Sequence, residues 1–274
     1  MGSPPFRYIT FLSDYGLTDE FVGVCHGVML AIAPEVRIID LTHGIQPQSV
    51  SEGALILSRS VKYFPRVIHL AIVDPGVGSD RLPIILETAS GSWLVGPDNG
   101  LLMPAAAKLG GTISCRKIES PQLMLPEPSR TFHGRDVFAP AAAHLARGVP
   151  PEEFGGEVPL PRLVGLSVPS ARLHAGHLHA VVLHVDRFGN LQLAISPDEL
   201  AGLGLLTGSL VEVRIEGHTS TVPFGRTFAA VPEGRLVITE DSSGLLALAV
   251  NQGSAAARLG AGPGSKVIVG PVGA

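Results

Sequence analysis

The feature that most limits what this chain can fold into is a change of rhythm part-way along it. Up to Arg147, short apolar runs alternate with segments of helical spacing; beyond Ala175 only short strand-like runs remain. Between them lies a Pro/Gly-rich stretch that includes GVPPEEFGGEVPLPRL. The first strand reads at Tyr8–Ser13 and ends in the turn residues Asp14, Tyr15 and Gly16. Phe21, Val22, Val24, Cys25, Val28, Met29 and Ile32 then recur at helical spacing. Thr18 stands as the N-cap of that helix, Asp19 and Glu20 complement its dipole, and Pro34 stops it. A strand at 36–41, a helix from a Ser49/Glu52 capping box to 64, and a strand at 67–73 follow. That order is the signature of a parallel sheet with crossover helices. Further strands read at 84–88, 92–95 and 113–117, and helices at 101–109 and 136–147.

Beyond the break, strands read at His177–Val185, Leu210–Ile215, 219–223, 235–239 and 245–250, with Gly/Pro turns between them and no long helix. The expectation is therefore an α/β N-terminal domain with a mostly parallel central sheet over 1–160. A linker follows at 161–176, then a smaller all-β domain, a barrel or sandwich, over 177–274.

Composition removes several classes of function. The net charge of −4 does not suit a protein that grips nucleic acid through its phosphates. No run of 18 apolar residues is present, so no membrane span is expected. The start MGSPPFRYITFLSD lacks the apolar core of a secretory signal. Cys25 and Cys115 form neither a CxxC pair nor a disulfide framework and read as small buried hydrophobes of a cytoplasmic protein. Charged residues are only 16% of the chain, which points to surface hidden between subunits.

Generic motifs are absent: GxxxxGK[ST], HExxH, GxSxG and GxGxxG do not occur. A nicotinamide-dependent oxidoreductase therefore has only the sheet in its favour. The chemistry-bearing residues are found where strands end. Asp74 follows the third strand in VDPGVGSDR, at the strand terminus where open α/β folds bind ligands. Arg81 could fold back to it, although a turn cap and a surface ion pair would use the same two residues. His133, in TFHGRDVFAP, precedes a helix; a structural histidine fits the same place. Asp14 could hold the vicinal hydroxyls of a ribose or merely cap its turn. In VDRFGNLQ, Asp186, Phe188 and Asn190 offer an acid, a ring and an amide. Those groups could stack on and read a purine edge; a hairpin turn on Gly189-Asn190 is compatible with that. His174, His177, His179 and His184 cluster without carboxylate or thiolate partners at ligand spacing, so no metal is expected there.

Seven segments in order, FLSDYGLTDEFVG, IDLTHGI, VDPGVGSDR, GPDNGLL, TFHGRDVFAP, DRFGNL and SSGLLALAVNQGSAA, resemble the adenosine-forming S-adenosyl-L-methionine hydrolases. These are also called SAM hydroxide adenosyltransferases and are relatives of fluorinase and chlorinase. The resemblance spans nearly the whole chain. It implies an N-terminal α/β domain, a barrel-like C-terminal domain, and a homotrimer with active sites at subunit interfaces. It places the catalytic Asp-Arg-His set on Asp74, Arg81 and His133 and the ribose carboxylate on Asp14. Methionine-binding acids fall on Asp19 and Asp186, and adenine neighbours on Phe188, Asn190 and Phe228. Ser242 and Ser243 stand where the halide enzymes have a Ser-Arg pair. Gly134 stands where they have a halide-binding serine, and their extra loop after Gly78 is missing. These departures favour water as nucleophile. The implied reaction is hydrolysis of S-adenosylmethionine to adenosine and methionine with no cofactor. Its alternatives are a SAM-dependent halogenase and a nucleoside-binding sensor with little turnover.

Overall fold

The computed structural model describes residues 5–273, which form two compact units, Met1–Ser167 and Val168–Ala274. In the first unit, β1 (Tyr8–Ser13), α1 (Phe21–Ile32), β2 (Arg37–Thr42), α2 (Val50–Ser60) and β3 (Ile68–Ile72) run as two strand–helix–strand crossovers. β4 (Pro83–Thr88), β5 (Trp93–Pro97), α3 (Met103–Lys108), β6 (Thr112–Lys117) and α4 (Ala139–Ala146) complete it. The sheet order is β2-β1-β3-β5-β4-β6. The β2–β1, β1–β3 and β3–β5 pairs are parallel, whereas β4 pairs antiparallel with both β5 and β6. The sheet is thus mixed, with its parallel half at the end that carries β1 and β3.

Both faces of that parallel half are covered, which explains its near-continuous apolar runs. On β1 the period of two sorts the side chains. Ile9 and Phe11 join a cluster with Cys25 and Met29 of α1 and Ala142 of α4; Leu12 joins Leu57 of α2 and Ala105 of α3 on the other face. Phe11 and Phe138 are wholly buried in the first cluster, and truncating either to Ala should cost about 3–5 kcal/mol.

The register places the strand ends that matter. Ser13 of β1 pairs with Ile72 of β3, so Asp14 and Asp74 leave neighbouring parallel strands at their carboxyl ends. Between the same strands the buried Thr10 Oγ1 and His69 Nδ1 lie 2.7 Å apart. Burial lowers the His69 pKa from 6.5 to about 4, so its ring is neutral at pH 7.

Two expected helix starts differ. Glu20, not Thr18, occupies the N-cap of α1, without a side-chain cap. Ser49 does stand at the N-cap of α2, but no capping box forms, because the Glu52 carboxylate accepts the Gln46 N–H (2.8 Å) instead. The last expected helix opens with a π-turn over Gly134–Phe138, in which the Ala139 N–H donates to the Gly134 carbonyl five residues back. Such turns are frequent at functional sites.

The second unit contains β7 (Arg172–His174), β8 (His177–Val185), β9 (Leu191–Leu193), α5 (Pro197–Ala201), β10 (Leu210–Ile215), β11 (His218–Pro223), β12 (Leu236–Glu240), β13 (Leu246–Val250), α6 (Ala255–Leu259) and β14 (Lys266–Pro271). Its strands follow the order β11-β10-β14-β8-β9-β13-β12, all antiparallel, with β7 beside β8. A bridge between Phe224 and Ile238 brings the two ends together, so the sheet is a nearly closed barrel around Val182, Leu191, Val213, Leu248 and Val269. The helices α5 and α6 are single turns. Ser196 and Glu199 form a capping box on α5. The stretch expected as a linker is ordered: the Val164 N–H donates to Asp98 in the first unit, and β7 pairs with β8 in the second.

Candidate functional site

Three loops of the first unit meet at the carboxyl ends of β1 and β3. The loop after β3 carries Asp74, and its own hydrogen bonds shape it. The Val77 N–H donates to the Asp74 carbonyl (3.2 Å), and both the N–H and Oγ of Ser79 donate to the Gly76 carbonyl (3.1 and 2.7 Å). Asn99, from the GPDNG turn, donates its amide to the Val73 carbonyl (2.8 Å) and so pins the residue before Asp74. Gly78 has φ +78°, and a Cβ there would stand 2.6 Å from the Arg130 carbonyl oxygen. Only glycine lets this loop lie flat on the 129–133 loop that leads to His133.

Folded in this way, the loop returns Arg81 onto Asp74. Arg81 Nε lies 3.0 Å from each Asp74 oxygen and Nη2 lies 2.5 Å from Oδ2; the two side chains are 8% and 7% exposed. Arg81 also stacks over Phe138 at 5.2 Å. The second contact of Arg81 Nη2 is His133 Nδ1, at 2.8 Å. A guanidinium can only donate, so Nδ1 accepts and the ring proton sits on Nε2. Burial, then the Arg81 charge, lowers the His133 pKa below 6.5, which favours that neutral form. Asp74, Arg81 and His133 therefore form one bonded chain.

The loop that carries His133 is itself locked. The Asp136 carboxylate is buried and accepts from Arg135 Nε (2.6 Å) and from the Ser129 N–H (2.9 Å), while Arg135 lies over the Phe132 ring at 5.0 Å. Burial resists ionisation of Asp136, but these donors outweigh it and hold its pKa below the ordinary value. Ser129, Arg135 and Asp136 were not singled out from the sequence. Only the Arg-Asp adjacency in HGRD could have signalled them.

Of the acids expected near the substrate, Asp14 accepts the Gln48 N–H (2.8 Å) on Oδ2, which leaves its other oxygen for a ligand. Asp19 is exposed in the turn before α1. Tyr15, also not singled out, points its hydroxyl at Gly134. Beside this group, His26 Nε2 and His43 Nε2 lie 2.9 and 3.0 Å from Asp40 Oδ1. Their atoms are close enough to hold a metal ion; as they stand, the His26–Asp40 hydrogen bond ties α1 to β2. The His174 and His179 rings in the second unit meet edge to face at 5.5 Å, and His177 Nδ1 lies 3.0 Å from the Ala175 carbonyl.

In the second unit, Asp186 organises its own turn. Its Oδ1 accepts the N–H groups of Phe188 and Asn190 (2.9 Å each), and its Oδ2 accepts the Asn190 amide (2.8 Å). The turn is tied to the start of α6 by the Ala256 N–H, which donates to the Gly189 carbonyl (3.0 Å). Phe188, Asn190 and Phe228 line a cavity of about 460 Å³ together with Val250, Asn251, Gln252 and Gly253. The last three fall in the NQGS part of a segment singled out from the sequence, but not as individual residues. Ser242 and Ser243 lie in the β12–β13 turn, where Asp241 accepts the Ser243 N–H (2.7 Å); they are not part of that cavity lining.

Two family models cover this chain: the SAM hydroxide adenosyltransferase N-terminal domain over residues 9–155 and the corresponding C-terminal domain over 180–268. The chain belongs to that family. Among similar members of the SAM hydroxide adenosyltransferases, the (R)-S-adenosyl-L-methionine hydrolase of Salinispora tropica is 44% identical over 97% of this chain and 98% of its own. A fluorinase of Nocardia brasiliensis is more distant, 31% identical over 90% of this chain and 91% of its own. The crystal structure of a conserved protein from Thermotoga maritima matches with a TM-score of 0.89 at 35% identity, over 95% of this chain and 99% of that one. Among the described residues, no helix is long and apolar enough to cross a membrane.

Proposed function

We propose that this protein hydrolyses S-adenosyl-L-methionine to adenosine and L-methionine by attack of water at the ribose C5′. The observation that carries the reading is the bonded Asp74–Arg81–His133 chain at paired strand ends in a member of this family. The leaving group is a neutral thioether expelled from a sulfonium, so it needs no acid and the reaction needs no metal or cofactor. The demanding component is the nucleophile, because water has a pKa of about 15.7.

Asp74 is the base. A carboxylate has about four lone-pair sites, and Arg81 fills three of them. One site on Oδ1 is left to take the proton as the C–O bond forms and the C–S bond breaks. Arg81 fixes the plane of Asp74, and the Nε2–H of His133 is the donor available to the developing hydroxide. Asp14 takes the ribose hydroxyls. The cavity between Phe188 and Phe228 takes adenine, its faces stacked on the rings and its edge read by Asn190 and the backbone near Gln252. Asp19, Asp186, Ser242 and Ser243 are assigned to the methionine side. The working form is a cytoplasmic homotrimer with sites completed between subunits.

The test is incubation of the purified protein with S-adenosylmethionine in ¹⁸O-water, with products read by mass spectrometry. The expected product is adenosine with ¹⁸O at C5′. Unlabelled adenosine or no turnover overturns the reading, and a 5′-halo-5′-deoxyadenosine formed with chloride or fluoride would replace it with halogenation. The sulfonium is a stereocentre and the hydrolases at 40–45% identity are named for the (R) form. The two sulfonium epimers are therefore assayed separately, with the (R) epimer expected to be consumed faster.

A further inference from the structure

Tyr15 follows Asp14 in the loop that leaves β1. Its ring meets the edge of Phe132 at 5.6 Å and 82° and tilts against Phe21 at 5.8 Å; those two rings pack on each other at 5.1 Å. The backbone is held as well. The Tyr15 N–H donates to Ser13 Oγ (3.3 Å), and the Gly16 N–H donates to the His43 carbonyl (2.7 Å). With ring and backbone fixed, the hydroxyl lies on Gly134: a Cβ built there would stand 2.0 Å from the Tyr15 oxygen. Any side chain at 134 and the Tyr15 hydroxyl exclude one another.

Gly134 adjoins His133, the end of the Asp74–Arg81–His133 chain. Asp14, Asp74 and Arg81 all act electrostatically on the phenol. Burial first, then neighbouring Cys25, Asp14 and Asp74, raise its pKa well above 10, against a smaller opposing pull from Arg81. The group is therefore a neutral O–H at any working pH. Among the described residues that hydroxyl has no hydrogen-bond partner. The hydroxyl is not sealed from solvent, so its donor is available to a ligand oxygen. Through Gly134 it adjoins His133, the end of the bonded Asp74–Arg81–His133 chain, and the acceptor that chain offers is the oxygen Asp74 deprotonates.

We propose that the Tyr15 hydroxyl is a further catalytic group, donating a hydrogen bond to the nucleophilic oxygen held by Asp74. The inference rests on the hydrolase reading above. Water gives one proton to Asp74 and accepts the Tyr15 hydrogen bond on one lone pair. The other lone pair forms the bond to C5′ while the C5′–S electron pair leaves with sulfur, and the pair freed by the departing proton accepts from His133 Nε2–H. The phenol keeps its proton throughout and only stabilises charge that builds on oxygen.

Tyr15→Phe removes one oxygen atom and keeps the ring. Relative to wild type, kcat is expected to fall about 10–100-fold with KM within twofold and the melting temperature within a few degrees. Turnover within twofold of wild type, or a loss confined to KM, overturns the assignment. Gly134→Ala displaces the hydroxyl without removing it and should lower kcat as well. Its effect should be smaller in the Tyr15→Phe background than in the wild-type background; fully additive losses would mean that Gly134 and the hydroxyl act separately. The wild-type protein in the same assay separates the two readings. No adenosine from wild type defeats the hydrolase reading, whereas active wild type with an unaffected Tyr15→Phe defeats only this one.

Discussion

The two units present their candidate residues in opposite ways. In the first, Asp74 and Arg81 are less than a tenth exposed and bonded to each other and to His133. In the second, Phe188 is 76% and Phe228 45% exposed beside their cavity, and Asp186 spends its oxygens on its own turn. The contrast teaches a division of labour. Groups that must meet a transition state are held in place before substrate arrives. On the proposed reading, groups that grip a flat, apolar ring stay open, because their contacts exist only once the ligand fills them.

The largest expected effect falls on the prearranged side. Asp74→Ala should reduce kcat about 10³-fold with KM little changed; near-normal turnover would mean the bonded chain is only structural. Acid should act on the same unit. Its buried His69 titrates near 4 when folded against 6.5 when unfolded. Stability is full above pH 6.5 and falls as the pH drops toward 4, because the unfolded chain takes the proton first. The loss is about 3 kcal/mol, readable by urea titration at several pH values. His69→Gln should flatten that slope, and an unchanged slope would place the acid sensitivity elsewhere.

On the open side, Phe188→Ala should raise KM about tenfold to a hundredfold, the 1–3 kcal/mol of a base–aromatic stack, with kcat retained. A fall in kcat alone would erase the contrast between the units. The smallest effect is expected from Asp14→Ala, an increase in KM of about tenfold, worth one charge-assisted hydrogen bond. Affinity unchanged in a direct binding measurement would reject its ribose role.

Local signals were legible where the physics is local. The strand–helix alternation located β1 to β3 and both crossover helices, and the turn residues after β8 located the Asp186 turn. Signals failed where partners compete. The Ser49/Glu52 pattern made no capping box because the Gln46 N–H claimed Glu52 first, whereas Ser196 and Glu199 formed one in a segment read only as strand and turn. The three-residue strands β7 and β9 are too short to show a period, and β14 follows a glycine-rich turn that masks it.

By itself the sequence determined the strand–helix order, the break in composition, and which residue types stand at strand ends, because these depend on neighbours within a few positions. It also carried the family likeness, through seven short segments in order. Only the tertiary structure decided that Arg81 bridges Asp74 and His133, which ring nitrogen of His133 keeps its proton, and that Tyr15 rests on Gly134. Those contacts join loops distant in the chain. They depend on sheet register and on atoms that compete for the same space and the same lone pairs, and no local pattern encodes either.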